Sequence, residues 1–185
     1  MLKLKMMKKS NLRIFILLAL ALSFIACDKS EHQPELVTNE IVESFRTETG
    51  LQAVFVLDTA LLNSVTAWQG QGDYPGVDQW STAKIPNNFD LYGGLPGQSE
   101  YYTISSTLTL ADTLQQNYWE SLQVKENVQF GYRPMVGVFE MKDTLVVALA
   151  KTLANPQYGS GGAWQIYVKD FAKDLTVLDT VYLKD

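Results

Sequence analysis

The 185 residues include one cysteine, Cys27, and one histidine, His32, both near the front of the chain. The body of the chain therefore has no disulfide, no Cys/His zinc cluster and no nucleophile–base system that needs Cys or His. Chemistry there falls to carboxylates, Tyr, Gln, Ser/Thr and Arg. Only two arginines follow residue 27, Arg46 and Arg133. Arg46 lies in a polar, helix-periodic stretch and is expected to be solvated. Arg133 stands in Gly131-Tyr132-Arg133-Pro134, just before a strand-like run. Its guanidinium fork suits bidentate recognition of phosphate or carboxylate, and a purely structural role is the alternative.

Two glycine-rich runs lead straight into strand-like segments. Gly93-Gly94-Leu95-Pro96-Gly97-Gln98-Ser99 precedes Tyr101 and Tyr102, and a second run holding Tyr158, Gly159, Gly161 and Gly162 precedes Trp164 and Gln165. Such turns can present backbone N–H groups to an anion, or serve as tight turns feeding a strand. Neither run is a P-loop, because no Lys-Ser/Thr pair follows, and neither is a dinucleotide fingerprint, because strands follow instead of helices. A third run, Gly70-Gln71-Gly72-Asp73, lacks the spaced oxygen ligands of a calcium loop, so no metal is expected. Trp68 and Trp80 flank this region and either stack on a planar ligand or plug the core.

Charge is unevenly placed. Residues 1–26 carry Lys3, Lys5, Lys8, Lys9 and Arg13 and no acid, which leaves 10 basic and 20 acidic side chains in residues 27–185. A domain that acidic repels phosphate backbones, so nucleic-acid binding is not expected. The basic front is followed by a 12-residue apolar run, 14–25, too short to span a bilayer of about 30 Å. The order of basic stretch, apolar run and small residue is that of a secretory signal. Its end, Ser23-Phe24-Ile25-Ala26-Cys27, resembles the lipobox of bacterial lipoproteins, with Phe24 where that motif usually has Leu. The resemblance implies removal of residues 1–26, acylation of Cys27 with chains such as palmitate, and anchoring in a bacterial envelope, the outer membrane being the expected place. Residues 27–34 then form a lipidated tether and residues 35–185 a single domain.

Within that domain, Leu36, Ile41, Val42 and Phe45 predict a helix over 35–49, closed by Gly50. Residues 51–57 read as a buried strand, and 67–97 as one long functional loop region. A strand is expected at 100–104. One principal helix is expected over 109–122, packed through Leu110, Leu114, Trp119 and Leu122. Residues 135–141 and 144–149 read as a pair of strands about Lys142-Asp143, with further strands at 164–168 and 176–183. The fold class is α+β: a mostly antiparallel, twisted sheet with one packed helix and long loops.

The series Gly94-x-Pro96-Gly97-Gln98-Ser99-x-Tyr101-Tyr102-Thr103, Leu122-Gln123-Val124, Tyr132-Arg133-Pro134 and Gly159-x-Gly161-Gly162-x-x-Gln165 resembles carboxy-terminal domains of bacterial polymorphic toxins. Its last element and the Arg-Pro step are similar to the tuberculosis-necrotizing-toxin group, which hydrolyses NAD on a fold related to ADP-ribosyltransferases. The resemblance implies an ADP-ribosyltransferase-like fold and makes NAD a substrate, with no cofactor. It implies that Arg133 grips the pyrophosphate, that Gln165 holds the nicotinamide-side ribose, and that Ser99, Tyr101, Tyr102, Tyr158, Gly161 and Gly162 complete the ligand site. The histidine of that group has no counterpart here. Two classes of function stay open: an envelope protein that binds or cleaves a nucleotide, and a non-enzymatic module for a glycan or an unidentified protein partner.

Overall fold

The computed structural model describes residues 35–67 and 69–185. The leader, Cys27, the 27–34 tether and Trp68 lie outside the described residues, and none of the described helices is long and apolar enough to cross a membrane.

Helix α1 (Glu35–Thr49) buries Val42 and Phe45. It ends as its sequence directs: Gly50 takes a φ of 71° and donates its N–H to the Arg46 carbonyl at 2.9 Å. Arg46 itself is exposed and paired with Glu43 at 2.7 Å. The apolar run that follows is not a buried strand. Only β1 (Val54–Phe55) is extended; it forms an edge of its sheet, and Val54 and Leu57 face solvent. The run is cut at Asp58, whose carboxylate accepts from Leu61 N at 2.9 Å and starts a helix not anticipated from the sequence, α2 (Thr59–Thr66).

The stretch read as a long loop holds two strands, β2 (Ser81–Ile85) and β3 (Leu91–Gly94). Strand β4 (Tyr101–Tyr102) falls inside the expected segment. The expected principal helix is two short ones, α3 (Ser105–Leu110) and α4 (Gln115–Ser121). Asp112 and Thr113 between them adopt left-handed φ values of 51° and 57°. The chain's last residues hold this break: Lys184 N donates to Thr113 O, and Gln115 N to Lys184 O, each at 2.8 Å. The turn also swings Leu110 out to 85% exposure, so the packed stripe is Leu108, Ala111, Tyr118, Trp119 and Leu122.

Strands β5 (Met135–Met141), β6 (Leu145–Lys151), β7 (Trp164–Tyr167) and β8 (Leu175–Tyr182), with the short α5 (Phe171–Asp174), complete the chain. The described residues form two antiparallel sheets where one was expected, ordered β1-β2-β6-β7-β4 and β3-β5-β8. Consecutive strands β5 and β6 do not pair: Met141 lies opposite Leu175, and Leu145 opposite Ile85. The 142–144 turn instead carries the chain from one sheet to the other.

The two sheets share one core. Ala83, Ile85, Val147, Leu149, Trp164 and Ile166 of the larger sheet meet Leu91, Phe139, Met141 and Leu175 of the smaller, with Val42 and Phe45 of α1. Helix α2 covers the outer face of the larger sheet, packing Leu61 and Val65 with Trp80, Ala148 and Tyr167. Trp80 is thus a core plug whose Nε1 donates to Gln69 Oε1 at 3.0 Å. Helices α3 and α4 cover Val136 on the smaller sheet. A two-bond bridge, Tyr92 N to Thr103 O and Thr103 N to Tyr92 O, ties the sheets together beside the end of β4.

Candidate functional site

That bridge sets the position of a cleft enclosing about 140 Å³. Strand β3 forms one wall with Tyr92, Gly93 and Gly94, and α4 another with Tyr118, Trp119 and Leu122. Tyr101 and Tyr102 of β4, Gln165 of β7, Ser99 and Arg133 close it. Five of the residues singled out in the sequence therefore meet in one place, although they come from three separate segments, 99–102, Arg133 and Gln165.

Their positions follow from local packing. Gly93 and Gly94 matter for what they lack. A Cβ on Gly93 would lie 2.8 Å from Cδ1 of the Tyr102 ring, and one on Gly94 would sit on Nη1 of Arg133. Successive residues of a strand face opposite sides, so one bare Cα admits the Tyr102 ring on the core face and the next admits the guanidinium on the helix face. Gly93 and Gly94 thus make room for two side chains. The Arg133 main chain is held independently: Trp119 Nε1 donates to Arg133 O at 2.8 Å, Gln115 Nε2 to Tyr132 O at 3.0 Å, and Leu183 N to Pro134 O at 2.8 Å. Its exposed guanidinium donates to Gly97 O at 3.3 Å, which leaves most of the fork's donors at the mouth of the cleft.

Beneath the walls of the cleft, the hydroxyls of Tyr102 and Tyr118 are buried with no hydrogen-bond partner among the described residues. Buried polar groups are normally paired, and leaving one unpaired costs about 1–3 kcal/mol. Burial pushes both phenols far above their ordinary pKa, with Glu100 adding to the effect on Tyr102 and Tyr92 to that on Tyr118. Both remain neutral O–H groups. The sequence pointed to Tyr102 but not to Tyr118. A tyrosine beside a core tryptophan in a helix carries no signal that distinguishes its hydroxyl.

Three expected ligand residues lie elsewhere. Gly161 and Gly162 line a separate groove with Ser105, Lys151 and Trp164. Their N–H groups are already bonded, to Glu120 O at 3.3 Å and Thr152 O at 2.8 Å, so this turn docks onto α4 and the residue after β6 instead of offering those two donors to an anion. Tyr158 packs against Tyr74 with ring centres 5.3 Å apart, and Lys125 sits 5.8 Å from the Tyr158 ring. Lys125 also pairs with Asp73 at 3.0 Å, so Tyr158 belongs to a latch between surface turns.

The sequence model of the Rhs1 C-terminal toxin domain matches residues 58–170, more than half the chain. Among solved structures, the Rhs1-CT domain in complex with its cognate immunity protein RhsI1 is 30% identical, with a TM-score of 0.65, over 70% of this chain and 100% of that one. Tse6 in complex with Tsi6 is also similar, at 13% identity and a TM-score of 0.43, over 78% of this chain and 96% of that one. No curated protein matches the chain. The matched span contains every element that lines the cleft, and the chain belongs to the Rhs1 C-terminal toxin domain family.

Proposed function

We propose that the cleft binds NAD and that the chain cleaves the bond between nicotinamide and ribose. The observation that supports this most is an arginine fork at the mouth of a cavity walled by aromatic rings. A cavity of about 150 Å³ accepts one benzene-sized ring, so this cleft has room for a nicotinamide but not for a whole dinucleotide. The ring enters among Tyr92, Tyr101, Tyr102, Tyr118 and Trp119, and the pyrophosphate stays outside on Arg133. Gln165 then lies beside the ribose. As the bond breaks, positive charge grows on the sugar, and fixed dipoles aimed at it lower the barrier. Incubating the purified chain with NAD should release nicotinamide, detected by chromatography. Binding without release would leave a non-enzymatic nucleotide module, and neither binding nor release would reject the nucleotide reading.

The proposed partner and address follow from the same family and from the front of the chain. Rhs1-CT was solved with an immunity protein, and a protein of that kind is proposed to bind this chain. The 127–131 turn next to Arg133 offers such a partner Val128 and Phe130, which are 98% and 80% exposed. Acylation of Cys27 would hold the domain at an envelope membrane, because two or three buried acyl chains at about 0.8 kcal/mol per CH₂ make anchoring lasting. Cys27→Ser should move the protein from the detergent phase to the aqueous phase and abolish fatty-acid labelling. Retained label in the variant would reject the anchor.

A further inference from the structure

The rings that line the cleft are not equally open to a ligand. Tyr102, Tyr118 and Trp119 are buried, and their rings are engaged in packing, Tyr102 against Phe139 and the other two against each other. Tyr101 is drawn to the outer face of the larger sheet, where its ring meets Tyr167 at 5.2 Å and Trp80 at 6.4 Å. Tyr92 is different. It is half-buried, rests on the Tyr118 and Trp119 cluster, and keeps surface in the cleft.

Strand β3 sets where Tyr92 stands. Gly93 faces Tyr102 and Phe139, while Gly94 faces Arg133 and Trp119, so alternation puts Tyr92 and Gly94 on the same side. Two residues of antiparallel strand advance about 6.8 Å. Tyr92 and the guanidinium seated on Gly94 are therefore offset along one wall, with room for a ribose between a ring and its phosphate.

Charge narrows the choice of ring. Among the described residues that line the cleft, none is Asp or Glu, and Arg133 at the mouth is the one that carries a charge. A cationic ring inside has no carboxylate to pair with, and the negative face of an aromatic ring is what attracts it. Burial and then the Asp90 carboxylate raise the pKa of Tyr92, and burial and then Glu100 raise that of Tyr102. The field of both carboxylates is thus felt at the wall, where it favours positive charge.

We infer that the cleft selects a positively charged ring over a neutral one, with the face of Tyr92 as the specificity-determining contact. The identity of that ring rests on the NAD reading. In NAD the nicotinamide is a pyridinium cation. When its C–N bond breaks, the electron pair leaves with the ring, water adds at the sugar carbon, and the water's proton goes to solvent. The freed nicotinamide is neutral, so Tyr92 holds substrate more tightly than product. Such a contact lowers KM without raising kcat, because the positive charge has moved to the sugar by the transition state.

The test titrates the full chain by calorimetry with 1-methylnicotinamide, a permanent cation, and with neutral nicotinamide. The cation should bind about 3- to 30-fold more tightly, the range of a cation–π contact. Tyr92→Leu keeps an apolar side chain but has no ring face. It should erase that preference and raise KM for NAD by a similar factor with kcat held. Tyr92→Phe keeps the face and should retain most of the preference. Equal binding of the two probes by the wild type overturns the inference, as does a preference that survives in Tyr92→Leu. If Tyr92→Leu does not fold, the wild-type preference and its retention in Tyr92→Phe decide the matter, and its loss in a folded Tyr92→Phe overturns the role of the ring face. NAD cleavage with neither probe bound also overturns this inference and leaves the cleavage reading standing. Preference for the cation without NAD cleavage upholds the ring selection and removes that reading instead.

Discussion

Trp119→Ala is expected to destabilise the domain by about 3–5 kcal/mol, the range for truncating a buried aromatic. Trp119 is 4% exposed and sits at the centre of the cluster that joins α3 and α4 to the smaller sheet. Its ring meets Tyr118 edge-on with centroids 4.8 Å apart, and its Nε1 holds the Arg133 carbonyl. Truncation therefore opens a cavity and frees the loop that carries the guanidinium. Chemical denaturation should show the stability loss, and NAD binding by the fraction still folded should weaken as well. Trp119→Phe separates the two effects: it keeps most of the packing but not the hydrogen bond, so it should affect binding more than stability. A loss below about 1 kcal/mol in the alanine variant would mean that the helix pair does not rest on this residue.

Arg133→Lys should weaken NAD binding by roughly 10- to 100-fold, since hydrogen bonds to charged groups are each worth about 1.5–3 kcal/mol. The substitution keeps the positive charge but loses the planar fork that engages two oxygens at once. The side chain is exposed and its backbone is held by Trp119, Gln115 and Leu183, so stability should hardly change. Gly94→Ala approaches the same point from the opposite wall, because its methyl group would occupy the space of the guanidinium. Calorimetry on both variants tests the geometry. Affinity retained in Arg133→Lys would show that a point charge suffices and that the fork is not used.

Much of the element placement could be read from the sequence because it is local. Strands β5, β7 and β8, the helix over residues 35–49 and its Gly50 stop depend on alternation, periodicity and one backbone conformation, each visible within a few residues. Pairing was not legible in the same way. Alternation tells a strand which face is apolar but not which strand lies beside it, so β5 and β6 looked like partners when each belongs to a different sheet. The break at Asp112 and Thr113 was hidden for a related reason. An apolar stripe keeps its spacing across two short helices, and the bonds that support the break come from Lys184, 71 residues from Thr113.

The sequence by itself determined the chemistry available to this domain. The absence of Cys and His from the described residues, the acidic balance, and the few candidates for anion or sugar recognition, Arg133 and Gln165 foremost, are matters of residue type. Only the tertiary structure decided which candidates share a space. Arg133, Gln165, Ser99, Tyr101 and Tyr102 line one cleft, while Tyr158, Gly161 and Gly162 serve turns outside it. It also added Tyr118, which α4 packs fully inside and whose hydroxyl has no partner among the described residues. The physical reason is that a side chain's function here depends on what a distant segment leaves open. Two bare Cα positions on β3 make room for a ring and a guanidinium that arrive from other parts of the chain, and no window of neighbouring residues contains that fact.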